Sequence, residues 1–322
     1  MTKIAGTAVL FVLGLLCPLI LGKFHVYLLS EVIIYSVFGI SYYLLLGHTG
    51  LLSFGHAVYF GLGAYTTALL LCKVPALPLP VAILAGAFAG ILSGFLIGFI
   101  LLRLTRIYFS FATLAIGQML WAIAWKWRTL TGGDDGLTGW SSRNVVLPLF
   151  GECTLSNVTF IYYLVFIIGF FCIFLTWYFT KTPLGNTLSS IKFNANRTGF
   201  LGINNAMAKL LLFSFAGLIA GVSGSMFILL KKMVSPSFLD MFMSFDIAVI
   251  SVIGGYAGFA GPIVGSFVYV FMVEYVSSLT ENWQLIMGAF FVLLILFYPG
   301  GIVGAVHHFK GKFSFLKRGA GS

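Results

Sequence analysis

The sequence predicts an all-α fold, a polytopic bundle of transmembrane helices, and its composition carries that prediction. Hydrophobic residues make up 60% of the 322-residue chain, charged residues make up 8%, and the mean hydropathy is +1.06. A soluble domain carries about 25% charged residues. A chain this apolar cannot cover itself with polar surface, so it needs a bilayer as its solvent. We therefore interpret residues 1–322 as a single membrane domain.

The chain contains about ten apolar runs, each close to the roughly 20 residues that a spanning helix needs. They are 4–22, 26–46, 51–72, 80–102, 107–125, 158–179, 210–230, 244–260, 262–280 and 283–298. Glycines interrupt the run 51–72, and Gly261 alone separates 244–260 from 262–280. We expect some of these segments to be broken or re-entrant, which is tolerated only where protein or a water-filled cavity covers the backbone. Because each half contains a glycine-broken segment, we also expect an internal two-half repeat.

Basic residues in short loops predict the orientation. Residues 181–209 contain Lys181, Lys192, Arg197 and Lys209 without an acidic residue, and the tail 303–322 is also basic and free of acids. An even number of predicted segments lies between the two, so both fit on the cytoplasmic side. The same count predicts a cytoplasmic N-terminus and an extracytoplasmic loop at 126–157. No basic stripe with interleaved aromatic residues occurs, so the net charge of +10 does not indicate nucleic-acid binding.

Signatures of catalysis are missing from the sequence. The pairs Gly22-Lys23 and Gly311-Lys312 are each followed by Phe, so neither belongs to a P-loop. No H-E-x-x-H or G-x-S-x-G motif occurs, and the four cysteines form no C-x-x-C pair. We expect a transport protein with no enzymatic activity, no metal site and no cofactor of its own.

Two glycine-rich stretches are the candidate sites within the membrane. The residues singled out are Gly50, Ser53, Gly55, His56, Gly61, Gly63 and Tyr65 in the first half, and Asp246, Gly254, Gly255, Gly258, Gly261 and Pro262 in the second. A broken helix exposes backbone groups to a substrate path, whereas helix packing alone also favours small residues. On a continuous helix His48 and His56 would share a face, where we expect polar histidines of the bundle interior and no metal site.

Acidic residues inside membrane segments are functional candidates by default. Asp246 and Glu274 are the deepest acids of the second half. The alternative interpretation is that Asp246 caps a helix start and that Glu274 lies close to a loop.

The stretch Thr131–Leu137 is rich in turn-forming residues, and Gly132, Gly133, Asp134 and Gly136 are its candidates. An exposed loop is one interpretation. The other is an extracytoplasmic element that faces a delivery protein or the substrate entrance.

The loop 181–209 predicts a short amphipathic helix over 183–198. Thr182 suits the N-cap, Pro183 suits the first helical position, and Gly199 suits the end. Apolar residues recur on one face of it. The candidates for coupling to a cytoplasmic partner are Pro183, Leu184, Gly185, Leu188, Ile191, Lys192, Arg197, Leu201 and Gly202. A helix that rests on the lipid surface is the alternative.

Taken together, these stretches resemble the LivM-type permeases of branched-chain amino acid ABC importers, from about Tyr35 to Gly304. The matching motifs are Gly50-Leu51-Leu52-Ser53-Phe54-Gly55-His56 with Gly61-Leu62-Gly63-Ala64-Tyr65, Thr131 to Leu137, Pro183 with Gly185 through Ile203, Ser244 to Gly265, and Phe297 to Ile302. The chain departs from the family pattern at Tyr43, His48, Asn186 and Ala195. The first two departures bear on the substrate and the last two on ATPase docking.

The resemblance implies a permease that forms a translocation pathway together with a second related permease subunit. It further implies two cytoplasmic ATP-binding subunits that hold ATP-Mg, an extracytoplasmic substrate-binding protein, and a bacterial or archaeal plasma membrane, the inner membrane in a Gram-negative cell. Our hypothesis at this point is that Leu184, Leu188 and Ile191 fill a groove on the ATPase.

Two other functions stay open on the sequence. In the first alternative, the chain is a permease of the same class whose substrate is urea or a short amide. In a different class, the chain is an ion-coupled secondary transporter that works alone, with Glu31, Asp246 and Glu274 as its candidate coupling acids.

Overall fold

The computed structural model describes residues 14–74, 77–104, 106–140, 144–147, 151–155, 157–255, 258–298 and 300–304. Its principal helices are α1 (Lys23–Thr49), α2 (Ala57–Lys73), α3 (Leu79–Leu101), α4 (Arg106–Lys126), α5 (Arg128–Thr131), α6 (Val158–Lys181), α7 (Pro183–Phe193), α8 (Ala195–Phe200), α9 (Asn205–Lys231), α10 (Met241–Gly254), α11 (Gly261–Leu279) and α12 (Trp283–Phe297). Residues 14–20 are helical as well.

The predicted all-α membrane bundle is confirmed. Six described helices (α1, α3, α4, α6, α9 and α11) are long and apolar enough to cross a membrane, and α2, α10 and α12 are shorter apolar helices. These helices correspond to all the predicted runs except 4–22, which lies mostly outside the described residues. The internal two-half repeat and the single domain stay predictions.

Helices α1 and α9 form the centre of the bundle, because most of each is buried inside the chain. Helix α1 packs against α6, α9, α10 and α11, and α9 packs against α2 and α3. Only 28% of the membrane stretch of α4, α6 and α11 is buried, so these helices lie toward the outside of the bundle. Those outer faces are available to lipid or to another subunit.

Close backbone contacts hold α9 against α2 and α3. A Cβ atom at Gly63 would collide with the backbone of Gly221, and one at Gly90 would collide with the carbonyl group of Gly217. The hydroxyls of Thr67 and Ser225 lie 2.8 Å apart at the same contact. Helices in a bilayer associate by this kind of close packing and polar contact. Gly63 therefore acts in helix packing here.

The connections between helices lie at two opposite ends of the bundle. Lys192 of α7 donates a hydrogen bond to the Gly47 carbonyl oxygen near the end of α1 (2.9 Å). At the opposite end of the bundle, Leu137 forms a β-bridge with Val234, just beyond α9. The loop 126–157 and the residues after α9 thus share one side, and α7 lies on the other. The loops 126–157 and 181–209 therefore lie on opposite sides of the bundle, as the charge pattern predicts.

The loop 126–157 contains one feature that the sequence analysis did not predict. Strands β1 (Asn144–Leu147) and β2 (Gly151–Thr154) form an antiparallel hairpin. It does not alter the all-α class of the membrane bundle.

Candidate functional site

The first glycine-rich stretch forms a real break between two membrane helices. Gly50 ends α1 in the left-handed conformation (φ 69°), and residues 51–56 lead to α2 without regular helix. Two side chains of α4 bond to this backbone: Ser110 donates to the Leu52 carbonyl oxygen (2.6 Å), and the Phe54 amide donates to Thr113 (3.1 Å). Protein groups therefore satisfy part of the broken backbone, as a membrane interior requires.

The break also brings the second half of the chain into contact with the first. The Ala57 amide at the start of α2 donates to the Ser244 hydroxyl of α10 (2.9 Å). Gly55 approaches the Thr113 backbone so closely that a Cβ atom would collide with it, and Gly61 is in similar contact with Leu239. These glycines allow close approach, and a pathway role for them stays a prediction.

His56 is fully buried at this break, among aromatic rings. Its Nε2 lies 2.8 Å from the Ser41 hydroxyl, and its ring contacts those of Phe38 and Tyr42. Three buried polar atoms here have no hydrogen-bond partner among the described residues, namely His56 Nδ1, Tyr42 Oη and Ser53 Oγ. Buried polar groups of this kind are normally satisfied by ordered water, so the break is a polar place inside the bundle.

The expectation that His48 and His56 share one helix face is wrong. Gly50 ends α1 between them, so they lie on different elements. His48 Nδ1 lies 2.9 Å from the Ser189 hydroxyl of α7, at the α7 end of the bundle. Tyr65, another candidate of this half, is buried within α2, and its hydroxyl has no partner among the described residues.

The second glycine-rich stretch is a break between α10 and α11. Gly255 follows α10 with φ 103°, and Pro262 lies in the first turn of α11, as predicted. Cβ atoms would collide at Gly254 with the Gly261 backbone and at Gly255 with Gly300 beyond α12. Gly258 is in open surroundings by comparison: among the described residues, a Cβ atom added there would meet only Val303 within 4 Å.

Asp246 does not cap a helix. The N-cap of α10 is Asp240, whose Oδ1 accepts from the Met241 amide at 2.6 Å. Asp246 lies one and a half turns further on, half-buried, beside the Tyr269 hydroxyl of α11. This placement excludes the capping interpretation and leaves Asp246 as a membrane acid with a polar partner.

An ion pair lies between α1 and α9. Lys231 Nζ lies 2.9 Å from Glu31 Oε1, and it stands 5.2 Å above the Tyr27 ring. Tyr35, one turn after Glu31, is buried with its ring 5.9 Å from that of Tyr269. Sequence reasoning missed Lys231, Tyr35 and Tyr269, because nothing local indicates that these residues meet across α1, α9 and α11.

The amphipathic stretch after α6 folds as two short helices, and the prediction of one helix over 183–198 is wrong. Asn194 interrupts it, and its side chain accepts hydrogen bonds from the Asn196 and Arg197 amides at the start of α8. Thr182 caps α7 as predicted, accepting from the Gly185 amide (3.4 Å). Gly202 follows α8 with φ 78°.

Helix α7 turns its apolar face toward the bundle. Leu188 is 0% exposed and Ile191 is 5% exposed, and α7 packs against α1, α6 and α9. The hypothesis that these two residues fill a groove on another protein is therefore wrong, because the chain itself covers them. Leu184, also in that hypothesis, is half-buried against the same core.

The surface available to a partner lies around α8 instead. Phe193 is 87% exposed, Phe200 is 90% exposed and Leu201 is 78% exposed. Arg197 is exposed on the same short segment. We call Phe193, Arg197, Phe200 and Leu201 the α8 surface.

The turn at Thr131–Leu137 is firmly held. Three of its glycines have positive φ (Gly132 78°, Gly133 65°, Gly136 69°), and the Thr131 hydroxyl bonds to the Ala124 carbonyl oxygen at 2.5 Å. A Cβ atom at Gly136 would collide with the Val234 carbonyl oxygen. Asp134 is exposed at the tip, so it is the candidate of this turn that is open to a contact.

The fold and these breaks define a class: a multi-pass helical membrane protein whose broken helices meet inside the bundle, as in transport proteins. Residues 24–296 match the model of the family described as branched-chain amino acid transport system / permease component, and the chain belongs to that family. It is a permease subunit of an ABC importer and a multi-pass protein of the inner membrane.

Two curated relatives have the same name, high-affinity branched-chain amino acid transport system permease protein LivM. One is from Escherichia coli (strain K12) and the other from Salmonella typhimurium (strain LT2). The chain is 25% identical to each, over 91% of its own length and 73% of theirs. No solved structure matches the chain. The resemblance noted from the motifs is thereby confirmed.

Proposed function

We propose that this chain forms part of the transmembrane pathway of an importer for branched-chain amino acids, together with a second related permease subunit. Two separate cytoplasmic subunits hydrolyse ATP, and a substrate-binding protein delivers the amino acid from outside. The chain itself is not an enzyme. The family description and the names of both LivM relatives support this substrate class.

The proposed orientation places α7, α8, the tail 303–322 and the N-terminus in the cytosol. Excess Lys and Arg marks cytoplasmic loops, and the segment 181–209 has four basic residues and no acid. The contact between Lys192 and the end of α1 is consistent with this, as is the bridge between Leu137 and Val234 at the other side.

One observation carries the proposed coupling to the ATPases: α7 and α8 together have one face inside the bundle and another in solvent. Leu188 and Ile191 anchor α7 against α1, α6 and α9. Lys192 and Ser189 bond to Gly47 and His48, directly before the break at Gly50. Movement of the exposed side of α7 and α8 is therefore transmitted to the end of α1, where the broken segment begins.

We expect the α8 surface to be the ATPase contact. Large apolar side chains that stand exposed next to one another mark interaction sites, and aromatic and Arg residues dominate such interfaces. A helix lying on lipid is the competing interpretation. Contact with lipid would also explain why these exposed residues are apolar, but it would not involve an ATPase.

The test is Phe200→Ala in the complete importer. We expect the ATPase subunits to co-purify at least about tenfold more weakly, since loss of one interface anchor costs about 2 kcal/mol or more. Substrate-stimulated ATP hydrolysis should fall in parallel. Ser190→Ala is the matched control, because Ser190 is exposed on α7 but outside the α8 surface. Unchanged co-purification and ATP hydrolysis for Phe200→Ala would contradict the contact.

A ligand screen of the binding protein encoded with this permease tests the substrate class separately. Leucine, isoleucine or valine is the expected ligand. Urea or a short amide as the sole ligand would contradict the proposed substrate while leaving the importer class intact.

A further inference from the structure

An apolar cavity lies between α10 and α12. The cavity has a volume of about 110 Å³, and its wall carries no polar surface. Its lining includes Phe245, Ala248, Val249 and Val252 of α10, with Phe291 and Leu294 of α12. An apolar cavity of about 150 Å³ holds a benzene molecule, so this one is of a size for about four aliphatic carbons.

A carboxylate adjoins this cavity. Asp246 precedes Val249 by three positions on α10, and residues with that spacing are neighbours on one side of a helix. The Tyr269 hydroxyl lies beside Asp246. The ring of Tyr269 stacks on that of Phe291 in the cavity wall, with centroids 6.5 Å apart and planes 9° from parallel. The polar pair and the apolar cavity are therefore parts of one surface.

Asp246 has no cation beside it among the residues that the structure describes. Among the described residues, the ion pair within 4 Å joins Lys231 to Glu31 and does not involve Asp246. An uncompensated carboxylate at membrane depth is costly, and such residues face a bundle interior or an aqueous cavity in preference to lipid. The side of α10 that carries Asp246 and the cavity is thus best suited to a water-accessible path, where a cationic group can approach.

We propose that this surface is a substrate subsite: Asp246 and Tyr269 hold the ammonium group of an amino acid while its branched aliphatic side chain enters the cavity between α10 and α12. This assignment rests on the proposed function, which names the substrate class. It adds the residues that recognise each end of the substrate. The apolar wall excludes a charged side chain, since burial of an unpaired charge is strongly unfavourable.

The first arm of the test uses the complete importer, reconstituted in liposomes with its binding protein and ATPases. Asp246→Asn removes the charge and keeps the shape, and we expect leucine uptake to fall at least about tenfold, with Asp246→Glu partly restoring it. Tyr269→Phe, which keeps the ring on Phe291, should lower uptake less. Glu281→Gln, an exposed acid outside the site, is the control and should transport normally.

The second arm measures selectivity, which a merely structural role would not change. Ala248→Leu fills the cavity, and we expect the ratio of leucine to alanine uptake to fall by roughly tenfold, the effect of about one methylene group in an apolar pocket. Leu294→Ala enlarges the cavity and should raise phenylalanine uptake relative to valine.

The outcomes separate the two proposals. If the wild-type importer carries no branched-chain amino acid, the proposed function fails. If the wild type carries leucine but Asp246→Asn does so at the wild-type rate, this assignment alone is overturned. It is equally overturned if Asp246→Asn is inactive while both cavity variants keep wild-type selectivity, because Asp246 then serves structure only.

Discussion

At the scale of single residues, His56 shows how this bundle tolerates a polar side chain in its interior. The Ser41 hydroxyl donates its one hydrogen to the Phe38 carbonyl oxygen (2.6 Å), so we infer that His56 Nε2 carries a proton and donates to Ser41. Nδ1 is then an acceptor without a partner among the described residues. Water that donates to Nδ1 would complete the arrangement.

Removal of the Ser41 hydroxyl should therefore be costly. We expect Ser41→Ala to destabilise the folded protein by about 1–3 kcal/mol, because it leaves a buried donor unpaired. Thermal unfolding in detergent measures this. Ser36→Ala is the control, since Ser36 is buried in the same helix and donates to the Val32 carbonyl oxygen one turn earlier. Equal losses for the two variants would contradict the role given to His56.

At the scale of elements, α7 is the helix on which the proposed coupling depends. Its buried face holds it to the bundle, while the α8 surface is exposed. Leu188→Ala should leave a cavity that costs about 2–5 kcal/mol and loosen α7. We expect transport to fall while ATP hydrolysis becomes less dependent on substrate, as measured in liposomes. Leu201→Ala is the control for stability, because Leu201 is exposed. If Leu201→Ala lowers the unfolding temperature as much as Leu188→Ala does, the anchoring role of Leu188 is contradicted.

The sequence predicted most of these elements but not their faces. Hydropathy found the spans because length and apolar content alone define them, and Pro183 and Thr182 indicated where α7 begins. Periodicity could show that Leu188 and Ile191 share a face, but not that the chain's own bundle covers that face. The break at Gly50 and the one at Gly255 were expected from glycine content. The pairing of Asp246 with Tyr269 was not, because contacts between distant helices leave no local pattern.

At the scale of the whole molecule, the two ends of the bundle differ in structure and charge. One end carries α7 and α8, with basic residues and exposed aromatic rings. The other carries the loop 126–157, whose turn at Gly132–Gly136 is tied to Val234 beyond α9. Between them lie the broken helices and the Asp246 subsite. Coupling to ATPases therefore requires the α7–α8 end to face the cytosol, where nucleotide is available.

Cysteine labelling tests this requirement directly. A cysteine is placed at Ser190, which is exposed on α7, in a chain whose native cysteines are replaced, and a second single-cysteine variant carries it at Asp134. With a membrane-impermeant maleimide, position 190 should react in inverted vesicles and stay unlabelled in intact spheroplasts, and position 134 should do the reverse. Labelling of position 190 from outside would place α7 and α8 beyond the reach of any ATPase and contradict the account.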